Sequence, residues 1–229
     1  MLNSGFKAVL VMVALCLLVA SLTQAKSYDD HSIKKGAWSC QFQIGPNFDF
    51  QNFDGAMFSI KRQFWNKSAL RLGVSLTFLN SDQDREYTRY YPDTIIVTDD
   101  ISENDNNGFD VNLLWLKYGN LNRQIKIYYG FGPRFAYSKS ETQSFSNNRV
   151  NKSEQTTTEY GGIAALGGEW FVNKSIALMF EYTASGFYQN RDNENRQTDN
   201  GVVQQKQVNE YNTTRFDGFE VKFGVSVFF

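Results

Sequence analysis

FEVKFGVSVFF, residues 219–229, is the stretch of sequence that decides the fold. Counting back from Phe229, every second residue is apolar, and the residues between them include Lys222, Glu220 and small side chains. This period of two is typical of a β-strand with one apolar and one polar face. Such a strand suits a wall with hydrocarbon on one side and a narrow polar interior on the other.

Similar alternation appears in seven earlier segments, which we interpret as strands: 37–44, 58–64, 70–78, 109–116, 125–135, 159–170 and 176–182. Their connections alternate in length. Residues 47–54, 80–107, 138–157 and 185–214 form long connections, and short ones centre on Asn66-Lys67, Gly119-Asn120 and Asn173-Lys174. Strands that cross a bilayer back and forth place successive connections on opposite sides, so we expect four long outer loops and three short periplasmic turns.

These features predict an all-β protein, an eight-stranded antiparallel up-and-down transmembrane β-barrel. The sheet must close, with the first strand paired to the last, because an unpaired backbone edge in hydrocarbon costs several kcal/mol per group. A soluble sandwich gives no reason for such regular segregation of loop lengths. Within the second long loop, residues 94–98 (TIIVT) are a candidate hairpin beyond the membrane.

The amino-terminal residues predict export. Residues 1–25 combine Lys7, an apolar run too short to span a bilayer, and a small-residue end, which is the pattern of a signal peptide. We assign residues 26–35 to a short periplasmic leader and 36–229 to the barrel. Removal of the signal leaves Cys40 as the one cysteine, so we expect no internal disulfide. It also leaves 22 basic and 24 acidic side chains, a net charge of −2 that gives no reason to expect a nucleic-acid partner.

Aromatic residues make up 16% of the chain, and their positions predict two interfacial girdles. Tryptophan and tyrosine prefer the boundary between membrane and water. The four tryptophans fall near the short-turn ends of strands and several tyrosines lie towards the long-loop ends. The predicted girdle residues are Trp38, Trp65, Trp115, Trp170, Tyr137, Tyr160 and Tyr182.

The opposite parity of the strands predicts a charged lumen. The interior positions carry five positive residues, Lys61, Arg71, Lys126, Arg134 and Lys222, and five negative ones, Asp110, Glu159, Glu169, Glu181 and Glu220. An eight-stranded barrel is about wide enough for side chains to fill, and charges enclosed there must be paired or hydrated. Placed by distance from the turns, Lys126 lies level with Glu169 and Glu181 nearly level with Lys222. We therefore predict ion pairs between these two sets of neighbours.

The stretch GGEWFVNKSIALMFEY (167–182) and the closing FGVSVFF (223–229) resemble the small eight-stranded outer-membrane β-barrels of Gram-negative bacteria, the OmpA transmembrane domain and OmpX-like superfamily. The resemblance covers essentially the whole exported chain. It implies a monomer in outer-membrane lipid and lipopolysaccharide. It also implies that the terminal strand, with Phe219, Phe223 and Phe229, is read by the barrel assembly machinery.

Three functions are compatible with this architecture. The first is a non-enzymatic structural or surface-interaction barrel with a filled lumen, whose long loops contact an unknown extracellular ligand. The second is a small porin-like channel, and the third is an outer-membrane enzyme acting on lipid. We favour the first. The balanced lumen charges argue against a pore, and the single histidine, His31, precedes the first strand, far from the outer leaflet. The residues predict no cofactor and no metal site.

Overall fold

The computed structural model describes residues 33–46, 48, 55–65, 67–91, 94–119, 124–146, 149–199 and 202–229, with the backbone alone at 82–91, 94–101, 146 and 219. These residues form eight strands: β1 (Trp38–Ile44), β2 (Ala56–Trp65), β3 (Ser68–Tyr91), β4 (Thr94–Tyr118), β5 (Ile125–Ser146), β6 (Arg149–Phe171), β7 (Ile176–Asp199) and β8 (Val202–Phe228). The predicted signal peptide, His31 and most of the leader lie outside the described residues.

The eight strands close into a barrel in chain order, as predicted. Each is antiparallel to the next, and β8 returns to pair with β1 from Ser39 opposite Phe228 to Ile44 opposite Phe223. Two backbone hydrogen bonds between Trp38 and Phe229, of 3.1 and 3.0 Å, extend this seam to the terminal residue. Closure leaves no free sheet edge at this level, which is the requirement for a sheet in hydrocarbon.

Alternation of exposed and buried side chains follows the predicted parity. On β5 and β6 the outward residues are Ile125, Ile127, Tyr129, Phe131, Phe135, Tyr160, Leu166 and Trp170, all exposed. Their neighbours Lys126, Tyr128, Ala165 and Glu169 are buried inside the barrel. An exposed belt of apolar side chains around a closed sheet is the surface that hydrocarbon requires. Arg62, on the outward face of β2, lies over the ring of Trp38 at 5.0 Å.

Six of the strands continue far beyond the rim of the barrel. β1 ends at Ile44 and β2 begins at Ala56, but the registers of β3–β4, β5–β6 and β7–β8 run on to Tyr91 opposite Thr94, Ser146 opposite Arg149, and Asp199 opposite Val202. We call these outer parts of β3–β8 the extension: residues 80–91, 94–107, 138–146, 149–157, 185–199 and 202–214. It is a six-stranded sheet, because β4 also pairs with β5 and β6 with β7 beyond the rim.

The prediction of long loops at 80–107, 138–157 and 185–214 is therefore wrong, and the hairpin suspected at 94–98 is part of a much longer one. The extension has water on both faces, so its sequence lacks the apolar alternation that reveals a membrane strand. Its backbone pairing continues the register set inside the membrane. Diagonal ion pairs between neighbouring strands add to it, such as Lys139–Glu154 at 2.6 Å and Lys152–Glu141 at 2.5 Å.

The first long connection, 47–54, lies outside the described residues except for Phe48. Phe48 is described, and its ring packs edge-on against Phe42 of β1 at 6.3 Å. This contact packs Phe48 against the barrel.

A bulge in β8 changes the side-chain parity at the rim. Thr183 lies opposite Glu220, but Ser185 lies opposite Asp217, so β8 contains one extra residue around Gly218 and Phe219. Beyond this bulge Phe216 points outward, with 70% of its surface exposed. The alternation read from Phe229 therefore ends at the bulge, whereas the strand itself continues to Val202. The side chain of Phe219 lies outside the described part of the chain.

The turn end of the barrel is tightly closed. Asn173 Oδ1 accepts hydrogen bonds from the backbone N–H groups of Ser175, at 2.9 Å, and Ile176, at 2.7 Å, which confirms the Asn-Lys-Ser turn. Ile33, from the part of the chain predicted to be a leader, is buried in the apolar cluster that includes Leu114, Leu116, Phe171 and Phe228. The end of the leader thus belongs to the packed barrel.

Gly167 on β6 makes room for a large side chain inside the lumen. A Cβ atom at this position would lie 2.6 Å from the hydroxyl of Tyr128 and 2.6 Å from the carbonyl oxygen of Phe180. Backbone and ring together leave no direction in which a methyl group could be accommodated. The lumen is therefore filled by pairing a large residue on one strand with a small one on the next.

We predict that Gly167→Ala destabilises the barrel by roughly 1–3 kcal/mol, the usual cost of overpacking. The midpoint of urea unfolding of the refolded protein, followed by tryptophan fluorescence, measures the effect. Gly162→Ala is the matched control on the same strand, because its Cβ would meet one atom within 4 Å, the Gly132 carbonyl oxygen at 3.8 Å. Equal midpoints for the two variants would contradict the packing described for Tyr128.

Candidate functional site: the charged lumen

The ten charged residues predicted for the lumen lie at different depths. Lys61, Arg71, Lys126, Glu169 and Glu181 are almost completely buried, and Lys222 is 8% exposed. Asp110, Arg134 and Glu159 are partly buried near the mouth, with side chains 17–21% exposed. Glu220 lies at the mouth, with 45% of its side chain exposed.

The first buried cluster joins Lys61 on β2 to Glu169 on β6. The two side chains form an ion pair, and Lys61 also donates to the hydroxyl of Tyr118 at 2.8 Å. That hydroxyl lies 3.2 Å from the second carboxylate oxygen of Glu169. Gln41 donates to Glu169 at 3.0 Å, and the Lys61 ammonium also lies 4.6 Å from the centre of the Phe228 ring. Every charged atom of the pair therefore has polar or aromatic partners in a site without bulk water.

The second buried cluster joins Arg71 on β3 to Glu181 on β7. The guanidinium donates from both terminal nitrogens to the two carboxylate oxygens, at 2.6 and 2.8 Å. Tyr128 donates to the same carboxylate at 2.8 Å, and Gln43 at 3.4 Å. This is the bidentate geometry for which arginine is suited, with the carboxylate further held by a phenol and an amide.

Both ion pairs cross the full width of the lumen. β2 and β6, and β3 and β7, are each four strands apart in a barrel of eight, so each pair ties opposite walls together. We call Lys61–Glu169 and Arg71–Glu181 the cross-ties. Lys61 and Arg71 lie directly opposite each other in the β2–β3 register, so two like charges are neighbours on one wall. Their repulsion is offset because the two carboxylates reach them from the opposite wall.

The residues predicted to pair do lie opposite each other on neighbouring strands. Glu169 and Glu181, however, form ion pairs with residues other than those predicted. Lys126 lies directly opposite Glu169, and Glu181 directly opposite Lys222, as expected. However, Glu169 forms its ion pair with Lys61 and Glu181 with Arg71. Lys222 forms its ion pair with Glu220 at 3.1 Å. Distance along the strands identifies neighbours on the wall, whereas long side chains in a narrow lumen also meet across it.

A third cluster lies nearer the mouth. Arg134 donates to Asp110 at 2.6 Å and lies 3.6 Å from Glu159. It also donates to Ser185 at 3.3 Å and lies 5.1 Å from the ring of Phe187. Two cavities, of about 320 and 210 Å³, open beside these groups and are lined in part by Asp110, Arg134, Glu220 and Lys222. None of the four cross-tie residues lines either cavity.

Several members of the buried clusters were not recognised as such from the sequence. Tyr118, Tyr128, Gln41, Gln43 and Ser226 all bind a cross-tie residue or one of its partners. Their interior parity was the available signal, since uncharged polar residues repeated at interior positions provide the hydrogen bonds that buried charges need.

The outward aromatic residues occupy the surface expected for girdles. The four tryptophans are exposed, and register places Trp65 opposite Ser68 and Trp170 opposite Ile125, next to the short turns. Tyr160 is exposed and stacks with Tyr188 at 5.2 Å, and Tyr137 contacts Phe109 at 5.9 Å. Tyr182 lies opposite Leu166, closer to the turn end than the other two tyrosines. Phe223 is exposed on the outer face, and Phe229 forms the last hydrogen bonds of the seam.

Solved structures to which the chain is similar are outer-membrane proteins. They include OprG from Pseudomonas aeruginosa, at 13% identity over 87% of this chain and 99% of that one, with a TM-score of 0.48. A major outer membrane protein from Thermus thermophilus has 11% identity over 85% and 99%, with a TM-score of 0.42. Ail, the attachment invasion locus protein of Yersinia pestis, has 11% identity over 85% and 99%, with a TM-score of 0.38.

No protein-family model and no curated protein matches the chain. Within the described ranges, no helix is long and apolar enough to cross a membrane. Closure, strand number and the apolar belt, all features of this chain itself, make it an eight-stranded transmembrane β-barrel.

We predict that Glu169→Gln destabilises the barrel by about 3–5 kcal/mol, because it leaves the buried Lys61 ammonium without its counter-charge. Glu194→Gln is the matched control. Glu194 pairs with Arg196 and Lys206 on the exposed extension, where water screens the charges and an ion pair contributes little to stability. Urea unfolding of both refolded variants provides the comparison. A Glu169→Gln barrel as stable as the Glu194→Gln barrel would contradict the prediction, because the buried ion pair would then stabilise the barrel no more than an exposed one.

Proposed function

We propose that this protein is a non-enzymatic integral outer-membrane barrel whose sealed lumen makes it a rigid mount for the extension at the cell surface. The observation that carries the proposal is the pair of cross-ties. They span the lumen from wall to wall, and their charged atoms are enclosed by tyrosine and glutamine side chains. An eight-stranded barrel filled in this way has no room for a solute path.

The position of the cavities supports a sealed lumen. Both mouth cavities are lined by residues on the extension side of the cross-ties, and the deepest lining side chains include Met57 and Asn112. Below them Leu114, Leu116, Met179 and Tyr118 are buried side by side with the cross-ties. The small porin-like channel, our alternative, would need these side chains to move apart.

The occupancy of the carboxylates favours a non-enzymatic role. Glu169 and Glu181 each accept hydrogen bonds from at least three donors. Asp110 and Glu159 are held by Arg134. A general base needs a free lone pair directed at a substrate proton, and the carboxylates of Glu169 and Glu181 are occupied by cations, phenols and amides instead.

The polarity of the extension supports its location in water. Its strands carry ion pairs such as Lys139–Glu154 and Lys206–Glu194 on side chains that are a third or more exposed in most cases. Such groups cannot lie in hydrocarbon without a large desolvation cost. The membrane therefore surrounds the apolar belt alone. We place the extension outside the cell and the short turns in the periplasm.

Planar-bilayer recording tests the proposed sealed lumen. We expect the refolded protein to give no sustained conductance. A variant with all four cross-tie residues replaced by alanine should conduct, because it removes the charged side chains that cross the lumen and lets the neighbouring buried side chains move apart. Its conductance would show that the assay detects an open barrel of this size. Steady channels in the unmodified protein would refute the proposal and favour the porin-like alternative.

A further inference from the structure

The inner face of the extension, which continues the lumen wall, carries mainly uncharged hydrogen-bonding side chains on β5–β8, and Arg191 near the mouth is the exception. Thr157 and Gln189 identify this face, because both side chains are buried inside the mouth of the barrel. Every second residue along a strand lies on the same face. Counting outward in this way leads to a row of cross-strand partners on β5, β6, β7 and β8, which are Thr142, Ser153, Asn195 and Gln207. Each of these side chains carries a hydroxyl or an amide group.

The next row outward repeats this chemistry. Ser144, Asn151, Gln197 and Gln205 are again successive partners across the same four strands. The two rows line a groove of about 300 Å³. Eight adjacent positions on four strands thus present only amides and hydroxyls, in a sheet where the neighbouring positions along each strand include many charges.

Most of those charges belong to the outer face. Arg191 is on the inner face, two rows nearer the barrel than the groove, and does not line it. Lys152 and Arg196 reach the edge of the groove, but Lys152 pairs with Glu141 and Arg196 with Glu194. Hydrogen bonds from Lys152 and Gln143 hold the pKa of the Glu141 carboxyl below its usual value, so this pair stays ionised at neutral pH. The groove therefore offers no unpaired charge to an ionic ligand, although it offers donors and acceptors to a neutral one.

Two further observations favour a polar, neutral occupant. Asn193 lies on the same face, one row nearer the barrel, and its Oδ1 atom is buried without a hydrogen-bond partner. Tyr211, on the inner face of β8, has 51% of its surface exposed; it lies two rows nearer the barrel than the groove and opposite Arg191. Planar amides can bind neighbouring hydroxyls in pairs, and an exposed aromatic ring two rows away offers a flat apolar surface to a ligand several sugar units long.

We propose that this groove binds a neutral oligosaccharide, whose adjacent hydroxyls pair with the two rows of amides and hydroxyls while Tyr211 packs against a sugar ring. The same chemistry is available from the uncharged saccharide of the cell's own lipopolysaccharide and from glycans outside the cell. This inference rests on the proposed surface role of the extension. Conductance recordings test the sealed lumen separately, so a failure of the oligosaccharide proposal does not contradict the sealed lumen, and the reverse also holds.

Titration calorimetry on the full refolded chain, in detergent free of lipopolysaccharide, tests the proposal. The probes are maltohexaose, cellohexaose, chitohexaose and the delipidated O-polysaccharide, with a polygalacturonate hexamer as the acidic comparison. We expect at least one neutral probe to bind and the acidic probe to bind more weakly. Binding of the O-polysaccharide alone would identify the cell's own saccharide as the source, and binding of the other probes would identify an external one.

The variant Asn195→Ala/Gln207→Ala should weaken binding of that probe by about tenfold, the effect of losing two hydrogen bonds. Asn190→Ala/Asn212→Ala is the matched control, because these two residues are partners on the outer face of the same strands. Heat-modifiable gel mobility checks that each variant has folded. Binding of no neutral probe, tighter binding of the acidic probe, or equal loss in both variants would overturn the proposal.

Discussion

The two ion pairs that cross the lumen are the interaction on which the rest of this barrel depends. Arg71 and Glu181 bind bidentately, Lys61 and Glu169 form the second pair, and each pair joins strands on opposite walls. Charges in a space without bulk water must be paired and hydrogen-bonded, or folding becomes strongly unfavourable. Because two cations lie together on one wall and two carboxylates on the other, correct closure of the barrel is the condition for satisfying all four.

Other features of the lumen follow from this requirement. Tyr118 and Tyr128 provide hydroxyls to the carboxylates, and their rings lie 5.6 Å apart. Gly167 is small because Tyr128 occupies the space beside it. Towards the mouth the lumen widens into cavities and the charges become partly exposed. Water can therefore solvate Arg134 in part, and its ion pairs matter less for stability than those of the cross-ties. The filled section is a rigid base from which six strands continue into water.

Alternation in the sequence predicted the barrel, its closure and the inward direction of Lys61, Arg71, Glu169 and Glu181, because hydrocarbon on one side forces a period of two. It could not predict which charges would meet. Level positions identify neighbouring strands, but a lysine or arginine is long enough to reach the opposite wall, and that choice depends on three-dimensional spacing. The bulge near Gly218 could not be predicted either, since one extra residue reverses which side chains of β8 face inward without changing the composition of the strand.

The strands of the extension could not be predicted from the sequence either. Residues 185–214 contain many asparagines and glutamines and no apolar alternation, so their sequence is typical of a loop. They are strands because their pairing continues from residues whose register the membrane has already determined. The rows of inner amides and hydroxyls that line the groove become visible only when the register is known.

The most direct test of the cross-ties is a double-mutant cycle on Arg71→Met and Glu181→Leu, measured by urea unfolding of the refolded full chain. Each single variant leaves one buried charge alone, whereas the double variant removes both. The account predicts a coupling free energy of about 2 kcal/mol or more between the two positions. A coupling free energy near zero would contradict it, because the two side chains would then contribute independently and the barrel would not depend on their pairing.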